Sequence, residues 1–301
     1  MKNTPNPSRR KFLKQNSMAG LATVMSTGIT LPSSALLNKA PKDEKPKPVL
    51  SIKPRYHRWY VDPGVEWLET NTGYATLDWA LPISQTAFVL VDVWQRHYLK
   101  DTEARSEPII TNKIVPLMNA CRRAGLTIIH APSPVVAKQF PNWVKLTGNS
   151  ESPGRSDWPP ADFQNHRGQY ESYRRPVEPR EAELQKIAQH QIHSKAWPLE
   201  HEPVVATGEE LHLYCRQQGI LFLLYAGFNT NACILSRDYG AMQMRKRGYE
   251  VILVRDCTTG MESKETQPTL AQTNGAILML EMFGHYSIVS EEIIAGLPQI
   301  V

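Results

Sequence analysis

The segment from Leu221 to Gly260 constrains the fold more than any other part of the chain. It opens with the apolar run Leu221–Ala226, which has the length and composition of a buried strand in a parallel sheet. Turn residues follow over Gly227–Asn231, and helical composition then continues to a cationic last turn before Gly248. A second apolar run, Val251–Val254, predicts the next strand. This strand–turn–helix–strand unit indicates an α/β domain built on parallel strands.

Cys233 stands where this unit passes from strand to helix. Open parallel sheets bind ligands at the carboxyl ends of their strands. The dipole and unpaired N–H groups at the start of a helix also lower the pKa of a thiol. We therefore predict that Cys233 is a catalytic nucleophile. The alternative is a buried core cysteine.

Strands and helices alternate over most of the chain. The run Thr86–Asp92 (TAFVLVD) predicts a central strand that ends in an acid, and Pro108–Ala124 has the apolar spacing of a helix. Leu126–His130 is the next predicted strand, and Tyr286–Val289 is the last. The pattern predicts one α/β domain with about six parallel strands.

The positive charge of the chain is concentrated at its N-terminus. Residues 1–35 hold five of the 34 Lys and Arg residues and no Asp or Glu, so the remainder has 29 basic and 29 acidic residues. A balanced remainder gives no reason to expect nucleic acid or an anionic membrane surface as a partner. The four cysteines include no CxxC pair and are too few for a disulfide scaffold.

The N-terminal residues have the pattern of an export signal. Ser8–Lys14 (SRRKFLK) resembles the bacterial twin-arginine motif, and the apolar stretch Met18–Leu31 follows it. At about 14 residues that stretch is too short to be a stable membrane anchor. Ser33–Ala35 fits a cleavage site, with Ala40 as an alternative. We predict a periplasmic or secreted protein with a signal peptide over 1–35; a basic tail is the alternative.

The rest of the chain divides by composition. Residues 36–55 are rich in Lys and Pro and predict an extended linker, and residues 56–301 form the single predicted domain. Residues 132–180 are too long for a plain connection, so we expect an ordered insertion, which is a lid, an oligomer contact or an addition without a role in the site.

Asp92 and Lys195 each stand at the end of a predicted strand, and Cys233 follows a third strand. Because the carboxyl ends of parallel strands converge, we expect these three residues to lie close together. Asp92 is the predicted general base, and the Lys195 ammonium is predicted to lower the pKa of the thiol. The N–H groups of Ala232 and Cys233 are the predicted oxyanion hole. A capping role for Asp92 and a surface position for Lys195 are the alternatives.

Four sequence segments resemble the isochorismatase-like, or nicotinamidase-like, cysteine hydrolases. They are FVLVD around Asp92, HSKAW around Lys195, AGFNTNACILSRDYGAMQMRKRGY around Cys233, and VILVRDC after it. The resemblance covers about Thr86 to Val289. It implies an Asp–Lys–Cys triad on a Rossmann-like three-layer sandwich with a mostly parallel six-stranded sheet. It also implies a small-molecule substrate and a homo-oligomer.

The chain departs from the family pattern at several points. Trp94 stands where the family usually has glutamine, and the HAPSP segment after the second strand lacks the Asp and His pair of a metal site. We therefore expect no metal and no cofactor, and nicotinamide is a weaker candidate substrate. The resemblance also implies a non-proline cis peptide before the nucleophile, which we place at Asn231–Ala232.

The candidate pocket residues are Trp94, His97, His130, Trp197 and Asn229. For the two histidines a structural role is the alternative. The predicted function is hydrolysis of a small amide, ureido or related C–N bond through a Cys233 thioester. A non-catalytic binding or scaffold protein and an isochorismatase-type vinyl-ether hydrolase are the alternatives, although family members of the latter type carry Ser or Gly in place of the cysteine.

Overall fold

The apolar run over residues 86–91 lies at the centre of the fold. The computed structural model describes residues 47–146, 158–187 and 191–298. Its strands, in chain order, are β1 (Val49–Ile52), β2 (Arg55–Arg58), β3 (Gly73–Thr76), β4 (Trp79–Pro82), β5 (Thr86–Val91), β6 (Thr127–Ala131), β7 (Phe222–Phe228), β8 (Glu250–Thr259) and β9 (Tyr286–Ile288). All six residues of β5 are buried, as a strand covered on both faces requires.

Seven of these strands form one sheet in the order β3-β2-β9-β8-β7-β5-β6. The five strands from β9 to β6 are parallel, whereas β2 is antiparallel to β9 and β3 is antiparallel to β2. The predicted mostly parallel α/β sheet is therefore confirmed, with seven strands instead of six. The additional strands, β2 and β3, have only four residues each, and so short a strand gives a weak periodic signal in the sequence.

Helices cover both faces of the sheet and complete the three layers. They are α1 (Lys100–Ile109), α2 (Val115–Arg123), α3 (Pro134–Ala137), α4 (Ala161–Gln164), α5 (Glu181–Ile187), α6 (Gly208–Gln218), α7 (Ala241–Lys246), α8 (Ala271–Met282) and α9 (Ser290–Gly296). One core cluster joins Phe88 and Leu90 to α2 and α9, and the other joins Val89 and Val91 to α6, α7 and α8. Alternate residues of β5 thus enter opposite cores. None of the helices in the described ranges is long and apolar enough to cross a membrane.

The first predicted helix begins earlier than its apolar spacing indicates. α1 starts at Lys100, and a π-helical turn over Ile110–Ile114 connects it to α2. Pro108 lies inside α1, where it cannot donate a backbone hydrogen bond. A widened turn next to a proline is a common way to keep a long helix continuous.

The predicted linker over residues 36–55 extends too far toward the C-terminus. Val49–Ile52 forms β1, which pairs antiparallel with β4 in a separate two-stranded sheet. Leu50 and Ile52 are buried and alternate with exposed neighbours. Four residues of alternation within a Lys- and Pro-rich segment are too few to indicate a strand. The predicted signal peptide and the linker as far as residue 46 lie outside the described residues.

The first part of the predicted insertion over 132–180 belongs to the core. α3 follows β6, and the Val144 N–H donates to the Val204 carbonyl at 2.9 Å. Ala137, Val204 and Ala206 form a small buried cluster there. Residues 158–180 are mostly exposed. A cavity of about 590 Å³ separates Tyr98 and Leu99 from residues 178–184. A lid or an oligomer contact stays a prediction for this second part.

Replacing Gly296 should destabilise the packing of the last helix on the first strand. A Cβ at Gly296 would lie 1.9 Å from the Ser51 carbonyl oxygen of β1, so the two backbones would have to separate. We expect Gly296→Ala to reduce the free energy of unfolding by about 1–3 kcal/mol, measured by denaturant titration.

Gly275→Ala is the matched control, because Gly275 lies inside α8 and a Cβ added there would have no atom within 4 Å. Alanine there should raise the stability by about 0.5–1 kcal/mol. Equal effects of the two substitutions would contradict the close packing of α9 on β1.

Candidate active site

The candidate site lies at the carboxyl ends of the adjacent strands β5 and β7. Val91 at the end of β5 pairs with Gly227 near the end of β7. Gly227 has a φ of 115°, and a Cβ there would lie 1.8 Å from the Val91 carbonyl oxygen. Only glycine permits this approach. Asp92 directly follows β5 with a φ of 44°, and Cys233 lies in the π-helical turn Thr230–Ile234 after β7.

The carboxylate of Asp92 is held by two polar side chains. Asp92 is 5% exposed, the Ser133 hydroxyl donates to its Oδ1 at 3.0 Å, and Arg237 Nη2 lies 3.2 Å from its Oδ2. Arg237 Nη2 also donates to Ser133 Oγ at 3.1 Å. The three side chains therefore form a closed network in which the buried negative charge is balanced by a guanidinium.

Cys233 is a partly buried free thiol that faces both charges of this network. Burial raises the pKa of Cys233, and the charge and hydrogen bonding of Asp92 raise it further. The Arg237 guanidinium acts in the opposite direction but does not outweigh them. The prediction of a lowered thiol pKa is therefore wrong. The resting thiol is protonated at neutral pH, so it needs a base in order to react.

Lys195 is not part of this network, which corrects the predicted triad. Its side chain is 50% exposed, and its ammonium donates to Thr111 Oγ1 at 2.8 Å and pairs with Glu107 Oε1 at 3.3 Å. It lies on a 3₁₀ turn over Ser194–Ala196, beside α1 and the π-helical turn that follows it. The cation beside the thiol is Arg237, four residues after Cys233.

A break in the predicted helix accounts for the position of Arg237. The composition predicts a helix as far as Gly248, but the helix is interrupted after residue 236, and α7 begins only at Ala241. The Tyr239 side chain is fully buried, its hydroxyl donates to the Pro132 carbonyl at 3.0 Å, and its carbonyl accepts from Tyr225 at 2.6 Å. These tertiary contacts override the helical propensity of the segment.

One of the two predicted oxyanion-hole donors, the Ala232 N–H, is already engaged in another hydrogen bond. The Ala232 N–H already donates to the Asn229 carbonyl at 3.1 Å, because it closes the turn that carries the nucleophile. The N–H of Cys233 stays a predicted donor. The non-proline cis peptide joins Phe228 to Asn229 and not Asn231 to Ala232.

Three of the predicted pocket residues, Trp94, His97 and Asn229, are buried. Trp94 is buried, with its ring 5.0 Å from Phe228 and 4.9 Å from His97. The His97 ring stacks on Tyr98 at 4.6 Å. Asn229 is 5% exposed, and its Oδ1 has no hydrogen-bond partner within the part of the chain that the structure describes. A buried acceptor without a donor is costly, which makes Asn229 a candidate contact for a substrate N–H.

The known contacts of His130 and Trp197 lie outside the network around Asp92. His130 Nε2 lies 2.9 Å from Glu202 Oε2, and burial lowers the pKa of His130. Burial raises the pKa of Glu202, but its hydrogen bonds to Arg122 and His130 outweigh this and lower it to about 2. Trp197 is 51% exposed and packs on Phe140 at 5.0 Å. The buried ion pair favours the structural alternative for His130, and Trp197 as a pocket residue stays a prediction.

No group of three or more His, Cys, Asp or Glu side chains is placed to hold a metal ion within residues 47–146, 158–187 and 191–298. The described cysteines other than Cys233 are buried. Burial raises the pKa of both Cys121 and Cys215 to about 12. Cys233 is therefore the most accessible of the four thiols.

The isochorismatase domain matches residues 86–280, which include Asp92, Cys233 and Arg237. The chain belongs to the isochorismatase family. A comparison with curated proteins finds no match.

The solved structures that resemble this chain have low sequence identity to it. A cysteine hydrolase from Pseudomonas syringae pv. phaseolicola is 15% identical, with 73% of this chain and 95% of that chain covered and a TM-score of 0.47. An isochorismatase family protein from Desulfovibrio vulgaris is 15% identical, with 69% and 95% covered and a TM-score of 0.42. N-carbamoylsarcosine amidase from Thermoplasma acidophilum is 13% identical, with 69% and 97% covered and a TM-score of 0.37. The family assignment rests on the domain match.

Alkylation by iodoacetamide should report the pKa of the Cys233 thiol. We expect Cys233 to be labelled first, at a rate that rises with pH to a midpoint above the ordinary thiol value. Asp92→Asn should lower the pKa and speed labelling at pH 7.5, whereas Arg237→Met should raise the pKa and slow it. Each pKa unit corresponds to a factor of about 10 in thiolate fraction.

The control is Cys233→Ala, which should remove the fast-labelled site in a peptide-resolved mass spectrum. Similar labelling rates at all four cysteines, or opposite shifts in the two variants, would contradict the network described above.

Proposed function

We propose that this protein hydrolyses a C–N bond of a small amide or ureido compound through a thioester on Cys233. The observation that carries the proposal is the meeting of Asp92, Arg237 and Cys233 at one edge of the sheet. A nucleophile beside a base, with the base oriented by a third group, is the arrangement used in covalent catalysis. The family membership of the chain supports a hydrolase.

In the first half of the reaction, the Asp92 carboxylate takes the thiol proton as Cys233 Sγ attacks the scissile carbonyl carbon. Because the pKa of the thiol is raised, deprotonation and attack are coupled instead of sequential. The protonated Asp92 then delivers its proton to the leaving nitrogen, the C–N bond breaks, and the amine or ammonia leaves behind a thioester.

In the second half, Asp92 removes a proton from water, which attacks the thioester carbonyl. The C–S bond breaks, and the proton returns to the sulfur as the carboxylic acid product leaves. Asp92 therefore acts as a base twice and as an acid twice, and the thiol is regenerated. The Cys233 N–H is the proposed donor to the oxyanion in both halves.

Arg237 performs the electrostatic part of this chemistry. It pairs with the buried Asp92 carboxylate, and it opposes the effects that raise the pKa of Cys233. We propose that Arg237 takes the place that the resemblance assigns to Lys195. A guanidinium stays charged throughout a catalytic cycle, so it stabilises negative charge without exchanging a proton.

Activity of single variants tests these assignments. A screen of amide, imide and carbamoyl compounds with ammonia detection should find a substrate whose turnover Cys233→Ala abolishes. Arg237→Met should reduce kcat by about 10²–10³, because it removes the charge beside the nucleophile. Lys195→Met should retain nearly all activity, because that ammonium binds Glu107 and Thr111.

Arg237→Lys is the control for folding, since it keeps a positive charge beside Asp92 and should retain part of the activity. A mass spectrum of the wild-type protein with substrate should show an acyl adduct on Cys233. Full activity of Cys233→Ala, or a larger loss in Lys195→Met than in Arg237→Met, would refute the proposed roles.

We also propose that the chain is exported through the twin-arginine route. The support is the Ser8–Lys14 segment and the apolar stretch after it. In a bacterial host, the wild-type protein should collect in the periplasm with the N-terminus removed near Ala35. The double variant Arg9→Lys, Arg10→Lys should stay in the cytoplasm at full length, as detected by fractionation and immunoblotting.

Lys2→Gln is the matched control, because it removes a cation outside the motif and should leave export intact. Recovery of the double variant from the periplasm would show that the twin arginines do not direct the protein.

A further inference from the structure

Arg105 differs from the other partly buried arginines. Seven arginines in the described residues are partly buried, and six of them have a carboxylate within 4 Å. The six are Arg55, Arg58, Arg122, Arg237, Arg245 and Arg255. Among these seven, Arg105 alone has no carboxylate partner within the described part of the chain. A positive charge removed from water without a counterion is unfavourable, so its position calls for a reason.

The contacts of Arg105 are all to neutral groups. Its Nε donates to Thr259 Oγ1 at 3.4 Å, and its Nη2 donates to the Gly260 carbonyl at 3.1 Å and to Thr102 Oγ1 at 3.4 Å. The remaining nitrogen, Nη1, is shielded from solvent and has no acceptor among the described residues. The guanidinium is therefore held in place on two sides, with both N–H groups of Nη1 unused.

Arg105 lies at the same edge of the sheet as the nucleophile. Thr259 ends β8 and pairs with Phe228, the last residue of β7. Two strand spacings, or about 10 Å, separate β8 from β5, the strand that leads to Asp92. The residue after Gly260 is also tied to the nucleophile's turn, because the Met261 N–H donates to Asn231 Oδ1 at 3.0 Å and Asn231 Nδ2 donates back at 2.8 Å.

We infer that Arg105 binds a carboxylate of the substrate, a few bonds away from the carbonyl that Cys233 attacks. This inference rests on the proposed function and narrows it to amides or ureido compounds that carry an acid group, such as amic acids and N-carbamoyl amino acids. A single guanidinium matches the single charge of a carboxylate, whereas a phosphate carries about −1.5 to −2. Asn229 Oδ1 would accept from the N–H of the same substrate.

Matched substrates test the inference. Succinamate and N-carbamoylglycine are each compared with the neutral compound in which a carboxamide replaces the carboxylate. Wild-type protein should prefer the acid in kcat/KM. Arg105→Gln should reduce this preference about 10- to 100-fold, mainly through KM, because a charge-assisted hydrogen bond is lost. Arg105→Lys should restore part of it, and Arg123→Gln, at an exposed position on α2, should behave as wild type.

An equal loss for the acid and the neutral compound would overturn the inference and assign Arg105 a structural role. A wild-type preference for the neutral compound would do the same. If Cys233→Ala turns over either substrate, the proposed function fails, but the carboxylate site does not fail with it.

A binding measurement distinguishes failure of the carboxylate site from failure of the proposed function. Calorimetry with the Cys233→Ala protein should detect succinamate, and the double variant with Arg105→Gln should bind it about 10- to 100-fold more weakly. The absence of an Arg105-dependent difference would overturn the inference, whatever the result for turnover. Tighter Arg105-dependent binding of inorganic phosphate than of succinamate would overturn it too and identify a phosphate site instead.

Discussion

The buried negative charge of Asp92 is the constraint on which the site depends. A carboxylate at the end of a covered strand requires a positive partner, and Arg237 supplies it at 3.2 Å. That requirement places Arg237 beside the thiol, and the break before α7 makes the placement possible. The raised pKa of Cys233 follows from burial beside this carboxylate. The proposed base and the protonation state of the nucleophile are thus consequences of a single charge balance.

Part of this arrangement can be read from the sequence. The fully apolar β5 indicates a central strand, and the convergence of parallel strand ends correctly brings Asp92 and Cys233 together. The identity of the cation cannot be read in this way, because strand position favours Lys195. Arg237 reaches the site only because Tyr239 bonds to Pro132 and Tyr225, contacts that join residues 107 and 14 positions apart. Local propensity and apolar periodicity carry no information about such contacts.

Two kinds of buried polar group occur in this molecule, and they differ in how completely they are paired. Arg122, Glu202 and His130 satisfy one another, which is what a structural cluster requires. Arg105 and Asn229 instead keep an unused donor and an unused acceptor at the carboxyl edge of the sheet, as far as the described residues extend. The composition of the sequence gives no means of telling these two kinds apart, because arginine and asparagine occur in both settings. The difference arises from the neighbours that the fold supplies.

The packing of α9 on β1 through Gly296 has a consequence for the order in which the chain is assembled. β1 (Val49–Ile52) is synthesised before the rest of the sheet, whereas α9 (Ser290–Gly296), which covers it, is synthesised after β9. β1 therefore lacks its covering helix until every strand of the main sheet has been synthesised. Domains tend to fold from the N-terminus during translation. In this fold, however, an early strand and a late helix close the same contact, so the β1–β4 sheet is secured only after the main sheet is complete.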